Sequence, residues 1–475
     1  MRIVAWAAVV LLGALGLRAQ PVYGIDRDNY ADPGQFSFLG PILKDVEVIS
    51  LAESIHMTHE FPPVRLGIVR YLNETLGIHV LVMEGSAPDV WIAQDRLLNS
   101  AHSAQDAQEA LGGYFGLWNT IEMRKLIEYE AGSWQSSRPL YIAGYDVQPG
   151  NGRSSQGIDA FRQLAERLSI YSAPPAGLDP AQWIDRIKPL VSSDYNPEQH
   201  TSVETALRDL EQWIARAAPE VEKRFPKVPH ASALRLIPAN LRAALQFRDD
   251  LIKPNPQGYQ GLRDIHAGDY VLQLKRALPS GKFMLWAHLS HLHNNNEQGR
   301  ASVGGVLHRS LGPRLYTIAP FAESGGAILL FPANDNEDLG YGRVHGARGS
   351  LGQRLSGLSK SDYFLDLRSL PTGPAADPVF WTRQPLQVEA AQQSWAIARE
   401  FDGIVWIKTV HAPDLTGFVM TASMIHYRTA LTVIGIALVA MMGVLLIYLA
   451  VRWSRASSAR SSRSRAPAAH SPSRR

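Results

Sequence analysis

Glu53, His56, Glu84, Asp146, His288 and His291 each stand at or just past the end of a short apolar run, in stretches reading ISLAESIH, VLVMEG, YIAGYD and MLWAHLSH. Singly, such residues have plain roles: a lone histidine is most often hydrogen-bonded for structure, and an aspartate after a strand caps a turn. Together they carry more weight, because parallel strands present their carboxyl ends along one edge of a sheet, where open α/β proteins bind ligands. The chemistry open to this set is hydrolysis. A neutral imidazole beside a carboxylate takes a proton from water, the carboxylate fixing its tautomer and stabilising the imidazolium that forms. An arginine or a second histidine then stabilises the oxyanion made when water attacks a carbonyl.

Other nucleophiles are poorly represented. No serine stands in a GxSxG turn, and the absence of cysteine excludes a thiol nucleophile and thiolate metal sites. Metal binding is the rival reading, since ESIHMTHE holds Glu53, His56, His59 and Glu60, and HLSHLH holds His288, His291 and His293. The order HMTHE matches neither HExxH nor HxxEH. His59 and Glu60 read as the opening of a helix, where glutamate favours the macrodipole and the histidine faces solvent.

The elements that must position these groups begin with residues 46–85. Val46–Leu51 and Ile78–Met83 are predicted strands. Between them Pro62 and Pro63 open a helix whose apolar spacing, Val64, Ile68, Val69, Leu72 and Leu76, ends at Gly77. This is a βαβ unit, and a right-handed crossover sets its two strand ends side by side, bringing Glu53, His56 and Glu84 into one crevice. Arg65, early in the helix, leans back towards that crevice. A third strand, Leu140–Gly144, leads to Asp146. From about Gly157 to Lys253 the pattern turns helical, as an insertion that either covers the crevice or only packs beside it. Strands resume at Phe283–Ala287, with later candidates at Arg314–Ala319, Ala327–Phe331, Tyr363–Leu367 and Gly403–Lys408. The fold class expected is α/β, an open, mostly parallel sheet flanked by helices with a helical insertion, plus one C-terminal transmembrane helix.

The two ends of the 475-residue chain carry that last expectation. Residues 1–19 have the pattern of a secretory signal, with one early arginine, a long apolar stretch and Ala19 at a cleavable position. Ala430–Val451 is apolar without a charge, long enough to cross roughly 30 Å of hydrocarbon. Seven arginines and no acidic residue follow, which places the tail 452–475 in the cytoplasm and residues 20–428 outside it, in a periplasmic or extracellular position. The tail and the helix would meet membrane lipid. The formal charge of +3 includes nine arginines at the two ends, so residues 20–428 carry about −6 and offer no basic surface for nucleic acid.

The same residues resemble the erythromycin esterase family, from roughly Val46 to His411. The family's Gly-Glu-x-x-His-Gly motif is met as Ala52, Glu53, Ser54, Ile55, His56 and Met57, with Arg65 and Glu84 at the family's spacings beyond it. GYDVQ at Gly144–Gln148 is similar to a second motif, Arg263 and Asp264 to its Arg-Asp pair, and WAHLSH at Trp286–His291 to its last strand end. The resemblance implies a metal-independent esterase without a cofactor, acting on a small-molecule ester or lactone. In it His56 activates water, with Glu53, Glu84 and His288 as the other catalytic groups. Arg65, His291, Asp146 and Arg263 would serve substrate or transition state. Ala52 and Met57 replace glycines, Ile55 a threonine and Leu289 an asparagine, so the pocket is bulkier and less polar. The related fold also looks like that of TIKI/TraB-type metalloproteases and haem-binding ChaN-like proteins, which keeps a metal-dependent peptidase and a haem or lipid-like binding module as alternatives.

Overall fold

The computed structural model describes residues 22–152, 154–278, 281–294, 301–333, 336–347, 349–415, 439 and 441–450. Its strands are β1 (Val22–Gly24), β2 (Val48–Leu51), β3 (Val80–Ser86), β4 (Tyr141–Asp146), β5 (Phe283–Trp286), β6 (Leu315–Ala333), β7 (Asn336–Val344), β8 (Tyr363–Asp366), β9 (Gln384–Val388), β10 (Ala391–Trp395) and β11 (Gly403–Val410). The main sheet runs β1-β8-β11-β6-β2-β5-β3-β4, with β7 beside β6, while β9 and β10 form a separate hairpin. From β11 to β4 every neighbouring pair is parallel. Within this sheet, antiparallel pairing is confined to β1, β7 and β8. Helices flank this mostly parallel sheet, so its central strands are buried along their whole length and mostly apolar, as burial on both faces demands.

The opening unit forms, with one topological difference. Phe61–Glu74 is a helix with both prolines in its first turn and Val64, Ile68, Val69 and Leu72 buried. Gly77 then turns the chain at φ 68°, where a side chain would be strained. However, β2 and β3 are not neighbours. β5, arriving some two hundred residues later, pairs with both of them. The register aligns Leu51, Trp286, Met83 and Gly144 in one row. Glu53, His288 and Asp146 follow two residues beyond that row and Glu84 one, so the four groups converge by register. Gly144 is held close to the bulge after Met83, where a Cβ would lie 2.5 Å from the Ser86 carbonyl oxygen.

Two further expectations change. Apart from Arg314, the stretches 314–319 and 327–331 belong to one strand, β6, which passes the main sheet and pairs with β7 as a hairpin arm. The glycines between them allow close approach: a Cβ on Gly325 would lie 2.0 Å from the Val410 carbonyl oxygen. The membrane placement is also corrected, because among the described residues no helix is long and apolar enough to cross a membrane. Of the C-terminal apolar stretch, residues 441–450 are described as helix. The expected leader at 1–19 and tail at 452–475 lie outside the described residues.

The helical block comprises Ser154–Tyr171, Pro180–Ile187, His200–Arg224 and His230–Leu251, followed by Gly258–Ala277. It packs on the helix Ala87–Leu98 and the end of β4. His230 stacks on Trp91 at 4.8 Å between ring centroids and meets Asp95 Oδ1 at 3.1 Å. Asn240 donates to the carbonyls of Tyr145 and Asp146 and accepts the Ala87 amide, which braces the strand end that carries Asp146.

Candidate functional site

Glu53 is the most heavily used carboxylate of the strand edge. It is fully buried. His56 Nδ1 donates to its Oε1 at 2.6 Å, and the Trp118 indole N–H donates to the same oxygen at 2.6 Å. Its Oε2 accepts from Arg65 Nη2. Arg65 lies flat over Trp286, 3.6 Å from the ring centroid, and points Nη1 at the carbonyls of Leu51 and Ala52. With Nδ1 protonated and held by Glu53, His56 is left with Nε2 as the nitrogen able to accept a proton. Its ring stacks on that of His288, 4.6 Å between centroids and 28° between planes, with Phe115 and Trp118 on its other sides.

A second ion network lies behind His288. Arg263 donates to both oxygens of Asp146, at 3.0 and 2.6 Å, and to Glu84 Oε1 at 2.8 Å. Glu84 Oε2 accepts the His288 backbone amide at 3.2 Å. His291 donates Nδ1–H to Asp264 at 2.7 Å and sets Nε2 3.4 Å from Glu84 Oε1. Burial works against ionisation of Glu84, but the charges of His291, Arg263 and His56 and the His288 amide outweigh it and hold the carboxyl at about 2. The side chain of His288 caps the short helix Leu289–Leu292 by accepting the Ser290 amide at Nδ1. Nε2 therefore bears the ring proton. That atom is buried without a hydrogen-bond partner among the described residues. Burial, with the charges of His56 and His291, pushes the His288 imidazole well below its usual value and keeps it neutral.

Glu389 is a charged group that sequence reasoning missed. It sits at the tip of the β9–β10 hairpin at φ 50°, a left-handed conformation that side chains rarely adopt. Its Oε1 accepts the His56 amide at 2.7 Å, its Oε2 accepts the Leu330 amide at 2.9 Å, and Oε1 lies 3.8 Å from His288 Nε2. Burial raises this carboxyl to about 7 against the opposing charge of His56. Burial also disfavours the charged form of His56, but its hydrogen bond to Glu53 and the charges of Glu53, Glu389 and Glu84 win, raising the imidazole to about 9. His56, His288 and Glu389 are the donors most able to hold a metal here, with one ligand atom of each within 4.8 Å of the others.

Of the residues expected at the site, the structure brings Glu53, His56, Glu84, His288 and His291 together. Three expected at the substrate are placed differently. Arg65 is 1% exposed and lies behind Glu53, while Asp146 and Arg263 neutralise each other beneath Glu84. Their charges are consumed by partners, because an unpaired buried ion is too costly. Trp118, Asp264 and Glu389 are added; only Asp264 stood in a motif. Ala52 and Met57 cause no backbone strain, since among the described residues only His102 and Glu389 are non-glycine residues at positive φ. The Met57 side chain joins Leu117, Ile328 and Leu339 in a small apolar cluster beside the site.

Comparison with known proteins gives a consistent result. The model of the family described as erythromycin esterase matches residues 74–410. A Bacillus subtilis (strain 168) protein, "Putative hydrolase YbfO", is 21% identical over 82% of this chain and 89% of its own. An Escherichia coli protein, erythromycin esterase type II, is 23% identical over 80% of this chain and 93% of its own. The crystal structure of a Bacillus cereus protein covers 83% of this chain and 96% of its own, with a TM-score of 0.60 at 17% identity, a likeness of fold.

Proposed function

Because the chain belongs to the erythromycin esterase family, we propose that it is a hydrolase that opens an ester or lactone by direct attack of water activated by His56. The observation that carries this reading is the Glu53–His56 pair, fixed by Arg65 and Trp118, facing the free Nε2–H of His288. Neutral His56 takes a proton from water at Nε2 as the water oxygen bonds to the carbonyl carbon. Its Nδ1–H stays on Glu53, whose charge stabilises the imidazolium. The His288 Nε2–H donates to the oxyanion, and being neutral and pre-oriented it needs no rearrangement to do so. The tetrahedral species then collapses with cleavage of the carbon–oxygen bond, and His56 returns its proton to the departing alkoxide. Arg65 and Arg263 act as positioning residues, the first through Glu53 and the second through Glu84 and the His288 amide. The E. coli relative named as an esterase supports the bond type.

The test is a panel of esters and lactones incubated with the purified chain in H2 18O, with products read by mass spectrometry. The expected result is one 18O in the acid product and turnover that persists in chelator. No hydrolysis across the panel, at any pH from 6 to about 10, would overturn the reading. Metal-dependent hydrolysis is a second reading, favoured by the convergence of His56, His288 and Glu389. It requires His288 Nε2 to shed its proton and the Ser290 amide to lose its acceptor, and it predicts turnover that is lost in chelator and restored by Zn2+.

The pH profile follows from the same geometry. His56 must be neutral to act and is held at about 9, so kcat/KM is expected to rise with pH towards that value. Glu389→Gln removes a negative charge that favours the imidazolium, so the rise moves to lower pH. The expected displacement is roughly one unit, since a unit corresponds to about 1.4 kcal/mol and charges ~4 Å apart interact by up to ~4 kcal/mol at an effective dielectric of 20. An unmoved profile would remove Glu389 from the electrostatics of the base.

A further inference from the structure

His59, which the catalytic reading leaves unused, meets two acidic residues at the rim of the site. His59 Nδ1 lies 2.6 Å from Glu122 Oε1, and the Asp414 amide donates to that oxygen at 2.9 Å. One ligand atom from each of His59, Glu122 and Asp414 lies within 4.8 Å of the others. The three come from separate segments: the turn before helix Phe61–Glu74, the first turn of helix Ile121–Ser133, and the extension past β11. Backbone bonds already join these segments, from the His59 amide to the His411 carbonyl and from the Ile121 amide to the Asp414 carbonyl. His59 and Asp414 face solvent, whereas Glu122 forms the floor at 3% exposure. Its second oxygen, Oε2, is buried without a hydrogen-bond partner among the described residues. Hydrogen bonding within the cluster thus leaves half of a buried carboxylate unsatisfied, a position that an ion or an ordered water would complete.

We propose that His59, Glu122 and Asp414 form a binding site for a divalent transition metal, zinc by its donor set. One imidazole nitrogen and two carboxylates are three protein ligands suited to Zn2+, and the solvent-facing side leaves a fourth position for water. The ion would satisfy Glu122 and tie the three segments together. It would also stiffen the catalytic centre from outside, because His59 is three residues from His56 and Glu122 four from Trp118, both of which bond Glu53. This site is separate from the donors at His56, His288 and Glu389 and is independent of the reaction assigned to them.

Titration of the metal-stripped full chain with Zn2+ by calorimetry, with melting temperature read in parallel, tests it. His59→Ala and Asp414→Asn change exposed side chains and should leave the metal-free melting temperature within a few degrees. The expected result is Zn2+ uptake that raises the melting temperature, with affinity at this site falling by about tenfold or more in each variant. Glu389→Gln, which alters the catalytic donors, should retain the rim site. Absence of uptake up to about 1 mM Zn2+, or uptake unchanged in both His59→Ala and Asp414→Asn, would overturn the proposal.

Discussion

His56→Ala is expected to lower kcat/KM by about a thousandfold or more on any substrate the protein turns over, with the defect in kcat. General-base catalysis by a positioned imidazole contributes ~10²–10⁴-fold. No neighbour replaces it: His288 Nε2 carries a proton, and both oxygens of Glu389 accept backbone amides. Residual activity would come from the oxyanion donor alone. Stability must be separated from catalysis, and the sign of the linkage shows how. His56 is held at about 9 in the fold against 6.5 unfolded, so its charge stabilises the protein below pH 6.5 and the contribution is lost as pH rises through about 9. The variant should be less stable at pH 6 by up to ~3 kcal/mol and nearly equal to the parent above pH 9. Kinetics measured near pH 9 therefore report chemistry. Equal kcat/KM there would end the assignment of His56 as base.

The largest loss of stability is expected at Arg263. Arg263→Leu removes the cation that faces Asp146 and Glu84 together and leaves two buried carboxylates without it. Breaking a buried pair in this way costs about 3–5 kcal/mol, because Asp146 loses its guanidinium and Glu84 keeps only His291 and the His288 amide, away from bulk water. The upper part of the range is the expectation here, since one guanidinium serves two strands, β3 and β4. The pH dependence identifies the cause. Glu84 is held at about 2 partly by Arg263, so in the parent its ionised form stabilises the fold above its unfolded value, and that contribution is lost only as pH falls towards 2. In the variant the carboxyl prefers its proton, so the destabilisation should be greatest at neutral pH and shrink as pH falls below 5. Urea unfolding at pH 7 and pH 4.5 measures both, and a pH-independent loss would point to packing.

The acidic strand ends were legible because two signals coincide there, a β-branched run and an abrupt carboxylate or histidine. Glu53, Glu84, Asp146 and His288 all follow that rule. Strand order was not legible. Nothing in residues 46–85 indicates that β5 will enter between β2 and β3, since a hydrophobic run carries no address for its neighbour. Arg65 was placed in the crevice by helix geometry, but geometry does not reveal that the adjacent Glu53 will absorb its charge. Glu389 left no trace because its hairpin turn is Glu-Ala, without the glycine or asparagine that marks a left-handed turn. The strain it bears there fits the role of its carboxylate, which bonds the His56 and Leu330 amides at once.

The insertion of β5 between β2 and β3 also sets the order in which the protein can be made. A ribosome that has released residues 46–146 has delivered three strands of the parallel array with a vacancy at its centre, so β2 and β3 each present a bare hydrogen-bonding edge. Those edges stay open until about 140 more residues have emerged, long after local helices have formed. Nascent chains in this interval offer apolar strands for mispairing. The helical block synthesised in between packs beside β4 and so buries one end of the unfinished sheet while the gap waits. Chains arrested before residue 283 should therefore depend on chaperones and aggregate when released, whereas arrest beyond residue 410, with β5, β6 and β11 delivered, should yield a soluble domain.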